Sequence, residues 1–291
     1  MKIARTATGG YAFGLSDRDG WVSAAAVGVD AHDLEDLVAD LSAIAARVAA
    51  VEPDLPELSG AALGAPVRRP GKILAVGLNY LRHIAEVGKA PPTSPMIFAK
   101  YPSAVTGPHD PIELNPTVTS EVDYEAELAV VIGRRARNVD VAQALEHVLG
   151  YCVANDVSAR DVQRQESQVS RSKGLDTFCP LGPWITTTED VADPHALWIR
   201  TTVNDEIRQD STTADLLFSV PDLVAHLSRT TTLEPGDVIL TGTPSGVGSG
   251  MTPPTYLKEQ DVVTCEIEKL GRIQNRVVAA PAPLGAPTFG R

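Results

Sequence analysis

Residues Val122–Gly133 alternate with a period of two, the pattern of a β-strand. Tyr124, Ala126, Leu128, Val130 and Ile132 fall on one face. Glu125 and Glu127 fall on the other, and that same face then turns apolar at Ala129 and Val131. A half-exposed strand with outward acids would carry the same two glutamates. An ordinary solvated face, however, does not turn apolar. Like charges at i and i+2 lie roughly 6–7 Å apart at the backbone and repel. A hard divalent cation removes that penalty by taking carboxylate oxygens. A second strand-like run, Tyr151–Asp156, ends in another acid. Residues Val157–Gln163 follow it and read as a helical turn. Two strands delivering Glu125, Glu127 and Asp156 to one place would form an oxygen-only site suited to Mg²⁺ or Mn²⁺. No Cys or His pair has zinc spacing, which disfavours zinc.

The pattern elsewhere divides the chain in two. In residues 1–70, short strands are predicted at Lys2–Arg5, Tyr11–Leu15 and Trp21–Val27. Asp33 then caps a helix that places Leu34, Leu37, Val38, Leu41, Ile44 and Val48 on one stripe. The Pro66–Gly71 segment ends this small α+β unit, and residues 71–291 form the second. There the strand candidates are Lys72–Gly77, Met96–Lys100, Tyr124–Ile132, Tyr151–Asp156, Leu197–Val203, Val238–Thr241 and Val262–Ile267. Asp140–Leu149 reads as a helix closed by Gly150. Ser219 and Pro221 open another helix that runs to Arg229. The fold class is therefore mixed β/α, mainly β, with a sheet rolled into a barrel or sandwich. The tail 279–291, rich in Ala, Pro and Gly, is expected to be loosely held.

Composition narrows the function. A formal net charge of −12 disfavours nucleic acid and anionic membranes as partners. An anionic substrate would need positive potential made locally. Cys152, Cys179 and Cys265 are scattered and suggest neither a disulfide framework nor a metal cluster. The first residues carry no long apolar stretch, and no run approaches the ~20 residues of a membrane span. The expectation is a soluble, cytoplasmic protein.

Other residues offer chemistry with an ordinary alternative beside each. His83 and Glu86 share a helical face at i and i+3. They can form a water-activating dyad or a plain surface pair. The Gly88–Pro92 stretch beyond them could bound a mobile lid. Lys173, beside Gly174, is either solvent-facing or placed to neutralise a substrate carboxylate or a developing enolate. Arg160 and Gln163, one turn apart, either line a solvated helix face or meet the substrate. The loop Gly242–Gly248 has neither a P-loop ending nor dinucleotide-binding spacing. It is a tight turn, or a grip on a carboxylate through a backbone N–H and the Thr243 hydroxyl. Ser245 does not sit in a nucleophile elbow.

Taken in order, Gly77–Tyr80 with His83 and Glu86, Asp123–Leu128, Asn155–Asp161, Lys173–Pro183 and Thr241–Gly248 resemble the fumarylacetoacetate hydrolase family over roughly residues 72–270. The resemblance implies a β-roll catalytic domain behind a small first domain of the short bacterial type, usually in a homodimer. It implies Mg²⁺ or Mn²⁺ held by Glu125, Glu127 and Asp156 and chelated by the carboxylate and 2-oxo oxygens of a pyruvate-like head. Lys173, Arg160, Gln163 and Thr243 would position that head, and His83 and Glu86 would activate water. The implied substrate is a small anionic 2-oxo acid. The leading expectation is C–C hydrolysis of an acylpyruvate-type 2,4-dioxo acid. The alternatives are isomerisation or decarboxylation of a related 2-oxo diacid, or a weakly active metal-dependent binding protein. The short first domain argues against fumarylacetoacetate itself as the substrate.

Overall fold

The strand Ala126–Ile132 is buried along its whole length, so both of its faces need cover. A computed structural model describes residues 1–31, 34–55, 58 and 63–281 and supplies that cover from two directions. The strand lies inside a large sheet. It pairs antiparallel with Val148–Asn155 on one side and with Val238–Leu240 on the other. Beyond Val148–Asn155 the sheet continues through Cys179–Thr187 to Lys2–Thr6 and Tyr11–Gly14. In the other direction, Val238–Leu240 runs parallel to Ile73–Gly77, which pairs with Met96–Lys100 at the edge. The first strands of the chain thus extend the sheet that carries the acidic residues.

Leu128, Val130 and Ile132 meet a core built from a second, five-stranded sheet and the helix Val220–Ser228. Ala129 and Val131, on the opposite face, belong to a second core that also takes in Phe13, Leu37, Ile44 and Val48 from the first part of the chain. The result is mixed β/α, mainly β, in agreement with the sequence pattern. The helix Val220–Ser228 starts as its sequence predicts: Ser219 and Asp222 form a capping box with a proline in the first turn.

Four elements depart from expectation. The predicted strand at Trp21–Val27 shrinks to Val22–Ser23, followed by a 3₁₀ turn at Ala25–Val27. The stripe from Leu34 to Val48 is carried by two helices, Leu34–Val38 and Leu41–Ala49, because the chain turns at residues 39–40. The proposed cap, Asp33, lies outside the described residues, as does most of the 279–291 tail. Gly150 does not close a helix. Residues Val141–His147 form a 3₁₀ segment, and Gly150 sits inside the next strand. A Cβ there would come within 2.2 Å of the Thr186 carbonyl oxygen, so the glycine serves close strand contact. Finally, Ser158 and Ala159 are extended and pair with Val122–Asp123, so the helix begins only at Arg160. Among the described residues no helix is long and apolar enough to cross a membrane.

Candidate active site

Sheet register brings the three acids together. Ala126 stands opposite Asn155, so the residues just outside that rung, Glu125 and Asp156, become neighbours. The Asp156 amide donates to the Glu125 carbonyl at 2.8 Å, and the Asn155 side-chain oxygen accepts from the Glu125 amide at 2.9 Å. This exchange takes Glu125 out of the regular ladder and turns it toward Asp156. One carboxylate oxygen from each of Glu125, Glu127 and Asp156 lies within 4.8 Å of the others, and all three residues are buried. Three converging oxygen donors match the preference of a hard divalent cation.

Buried cations surround them. Lys173 closes the short helix Ser170–Lys173 and is not solvent-facing. Its Nζ lies 2.7 Å from Glu125 Oε2 and 2.8 Å from Asp156 Oδ2. Arg160 donates from Nε to Asp123 Oδ2 at 2.9 Å, and its second arm lies 2.6 Å from Glu125 Oε1. Gln163 accepts from Arg160 Nη1 at 3.1 Å. Lys100 donates to Asp156 Oδ1 at 2.6 Å and to the carbonyls of Val157 and Lys173.

Glu127 has a different environment. It accepts a hydrogen bond from the Gly242 amide at 2.7 Å, and no ion pair reaches it among the described residues. Burial, followed by the charges of Asp156 and Glu125, raises its pKa well above the usual carboxylate value. Burial also pushes Glu125 upward, but Lys173 and Arg160 outweigh it and hold its pKa at about 2. Burial disfavours the charge on Lys173, yet Asp156 and Glu125 keep it protonated with a raised pKa. Four buried carboxylates (Asp123, Glu125, Glu127, Asp156) thus face three buried cations (Lys100, Arg160, Lys173). Glu127 is the carboxylate left over in this balance, and its raised pKa favours the protonated form.

His83 stands on the helix Leu81–Glu86, its Nδ1 2.8 Å from Glu86 Oε2. A carboxylate can only accept, so Nδ1 carries the proton and Nε2 is left to face other groups. Glu86 is held in turn by the Gly246 amide at 2.8 Å. His83, Glu125, Glu127, Asp156, Arg160, Gln163, Lys173 and Thr243 all line one cavity of about 100 Å³. Its remaining walls are largely apolar: Val76, Leu78, Met96, Phe98 and Val169. Leu78 holds a left-handed backbone, φ 55°, at the lip of this cavity. Such strain in a non-glycine residue persists only where its surroundings enforce it.

The loop 242–249 does grip carboxylates through backbone amides, and the ones it grips belong to the protein. Gly242 holds Glu127, Gly246 holds Glu86, and Gly248 and Ser249 hold Asp123 at 2.8 and 3.0 Å. The Thr243 hydroxyl donates to the Ala126 carbonyl at 2.9 Å and accepts from Gln209 at 2.8 Å. Its proton is therefore already engaged. Gly242 has φ 101°, and a Cβ there would lie 2.9 Å from the Asn79 Cβ. Gly242→Ala should cost roughly 1–3 kcal/mol of stability, read from denaturant melts. An unchanged midpoint would contradict this account of the loop.

Three contributors were not singled out from the sequence. Asp123 orients Arg160 and was legible: it continues the Glu125–Glu127 alternation by one step. Lys100 shares a strand face with Met96 and Phe98, but nothing in its neighbours marks a lysine that will be buried. Gln209 ties the Ala126 amide to Thr243 from a polar strand and carries no signal at all.

A mainly β fold, an acidic triad that could hold a metal ion, three buried cations and a His–Glu pair are together the features to be matched against known proteins. Residues 72–278 match the family described as "Fumarylacetoacetate (FAA) hydrolase C-terminal". The chain belongs to the fumarylacetoacetate hydrolase family. It is 48% identical, over 84% of its length and 78% of the relative's, to the mitochondrial oxaloacetate tautomerase FAHD2A of Bos taurus. Fumarylacetoacetate hydrolase from Exiguobacterium antarcticum superposes with a TM-score of 0.82 at 37% identity, covering 96% of this chain and 100% of that one. Maleylpyruvate hydrolase from Sphingobium sp. SYK-6, solved with manganese(II) and pyruvate, gives 0.80 at 32% identity, with coverage of 97% and 100%.

Proposed function

We propose that this chain is a Mg²⁺- or Mn²⁺-dependent enzyme that interconverts the enol and keto forms of a small 2-oxo diacid of the oxaloacetate type. The observation that carries the reading is the convergence of Glu125, Glu127 and Asp156 within 4.8 Å on a cavity that His83 also lines. The similarity to a tautomerase named for oxaloacetate supports the choice of reaction. This ranks isomerisation above the acylpyruvate hydrolysis expected first from the sequence.

Glu125, Glu127 and Asp156 would hold the cation. Their oxygen-only donor set fits it, and so does the carboxyl of Glu127, which no ion pair reaches among the described residues. When bound, a divalent cation supplies Lewis-acid charge at the carboxylate and 2-oxo oxygens of the substrate. With Glu127 ionised to receive it, the cation would also leave the cavity with an excess of positive charge, which favours an anionic substrate. Arg160 with Gln163 and Lys173 orient the substrate head. In the reaction a proton leaves the enol oxygen and C3 gains one. His83 Nε2, with Nδ1 fixed by Glu86, would carry that proton. The apolar walls limit water around the reacting carbon.

Hydrolysis of an acylpyruvate is the second reading, favoured by the same His83–Glu86 pair, which could equally take a proton from water. The test is a substrate panel with and without Mg²⁺ or Mn²⁺. The proposal expects cation-dependent acceleration of enol-oxaloacetate conversion, without pyruvate release. Pyruvate released from an acylpyruvate that lacks a second carboxylate would favour the hydrolase. Rapid CO₂ evolution from oxaloacetate would point to a decarboxylase, and no turnover at all to a binding protein.

Cation binding should also depend on pH in a definite direction. In the cation-free fold Glu127 keeps a proton that the unfolded chain loses above about 4.5. Its contribution to stability therefore falls as pH rises from 4.5 through the raised folded-state pKa. A cation requires the ionised form and must displace that proton. The rise in melting temperature on adding Mg²⁺ should grow across this interval. Calorimetry in two buffers of different ionisation enthalpy should report proton release, and its absence would contradict the charge assignment.

A further inference from the structure

The surface is acidic overall, with a formal net charge of −12, but one groove departs from it. A cleft of about 500 Å³ opens where the first strand of the chain meets the segment before Ile73–Gly77 and the turn before Val238–Leu240. Arg5, Arg68, Arg69 and Lys72 line it. Lys72 is already engaged, its Nζ 2.5 Å from Asp237 Oδ2. Glu234 on the same wall lies 3.2 Å from Arg135. Arg5, Arg68 and Arg69 make no ion pair among the described residues, and Glu35 is the one lining carboxylate without such a partner. Among the described residues, three guanidinium groups without ion pairs face one such carboxylate, a local excess of positive charge.

The arginines are not simply scattered. Arg5 is half-buried, and its terminal nitrogens lie over Gly9 and Gly64, where an added Cβ would come within 3.4 and 3.3 Å. The glycines leave room for the guanidinium to lie flat. Arg68 and Arg69 are exposed and sit between Pro66 and Pro70, whose rings restrict the backbone that presents them. No residue of this groove lines the cavity that holds Glu127.

We propose that this groove binds a small, multiply charged oxyanion, phosphate or polycarboxylate, through Arg5, Arg68 and Arg69. Guanidinium forks match such oxygens two at a time, and like charges gathered without a counter-ion favour capture of an anion. The floor of the groove, Lys72 paired with Asp237, lies at the start of two parallel strands. Their other ends lead to Leu78, which lines the cavity that holds Glu127, and to Gly242, whose amide binds Glu127. A bound anion would hold together the ends of both strands that are remote from that cavity.

The test is calorimetric titration of the Mg²⁺-loaded protein with inorganic phosphate at constant ionic strength, with tricarballylate in parallel. Wild type should bind one equivalent saturably, and the tighter of the two probes identifies the oxyanion class. Arg68→Gln/Arg69→Gln should weaken binding at least tenfold, and Arg5→Gln, on a different strand, should also weaken it. Arg137→Gln removes an exposed arginine elsewhere and should leave binding intact. Turnover without added anion should be the same in all four proteins. Unchanged binding in the double variant would place the anion elsewhere and overturn the proposal. So would the absence of saturable binding in wild type, or light scattering that shows these arginines holding two copies of the chain together.

Discussion

Replacing Glu127 with alanine is expected to remove cation binding and turnover together. Glu127 is the carboxylate of this cluster that no ion pair reaches among the described residues, and burial, then the charges of Asp156 and Glu125, raises its pKa. A divalent cation is the counter-charge that this arrangement calls for. Losing even a residue that merely supports a metal ligand typically costs 10–100-fold in affinity, so loss of a proposed ligand should cost more than about 100-fold. Stability separates this outcome from simple damage. Truncation leaves the buried Gly242 amide without its acceptor, so the cation-free fold should lose no more than about 1–3 kcal/mol. The rise in melting temperature on adding Mg²⁺ should disappear, because that rise needs a site in the folded state. A variant that melts far below wild type without cation would contradict this argument.

The second large effect is expected at His83. His83→Ala should lower kcat by about 10²–10⁴-fold, the usual contribution of a positioned acid–base group. Cation affinity should stay near wild type, since His83 is not among the three clustered carboxylates. Glu86→Gln should act in the same direction. The carboxylate fixes Nδ1 as the protonated nitrogen, and an amide can present either an acceptor or a donor to the ring. A His83→Ala enzyme with unchanged kcat and cation binding would remove His83 from the reaction.

How much of this could be read from the sequence depends on the distance over which each feature is determined. Glu125 and Glu127 were legible because strand alternation is local, and Asp156 because it ends an apolar run. Their meeting was not legible from those patterns. It depends on the register that sets Ala126 opposite Asn155, and a slip of one residue would reverse every side chain. The pairing of Lys2–Thr6 with Cys179–Thr187 spans most of the chain and left no local trace. Gly150 misled because a glycine after a periodic segment is a common helix stop, whereas here it allows close strand contact. The Gly242–Gly248 loop was readable as a tight turn or a grip on a carboxylate, but not as one whose amides, with that of Ser249, hold Glu127, Glu86 and Asp123. The order of the motifs supplied what periodicity could not, since it pointed to the family to which the chain belongs.

The most direct test of the cation site is the anomalous scattering of Mn²⁺ in crystals of this protein. The account predicts one strong peak per chain, within bonding distance of oxygens from Glu125, Glu127 and Asp156, and no such peak in Glu127→Ala. A peak held by other residues, or an empty triad in Mn²⁺-saturated crystals, would contradict it.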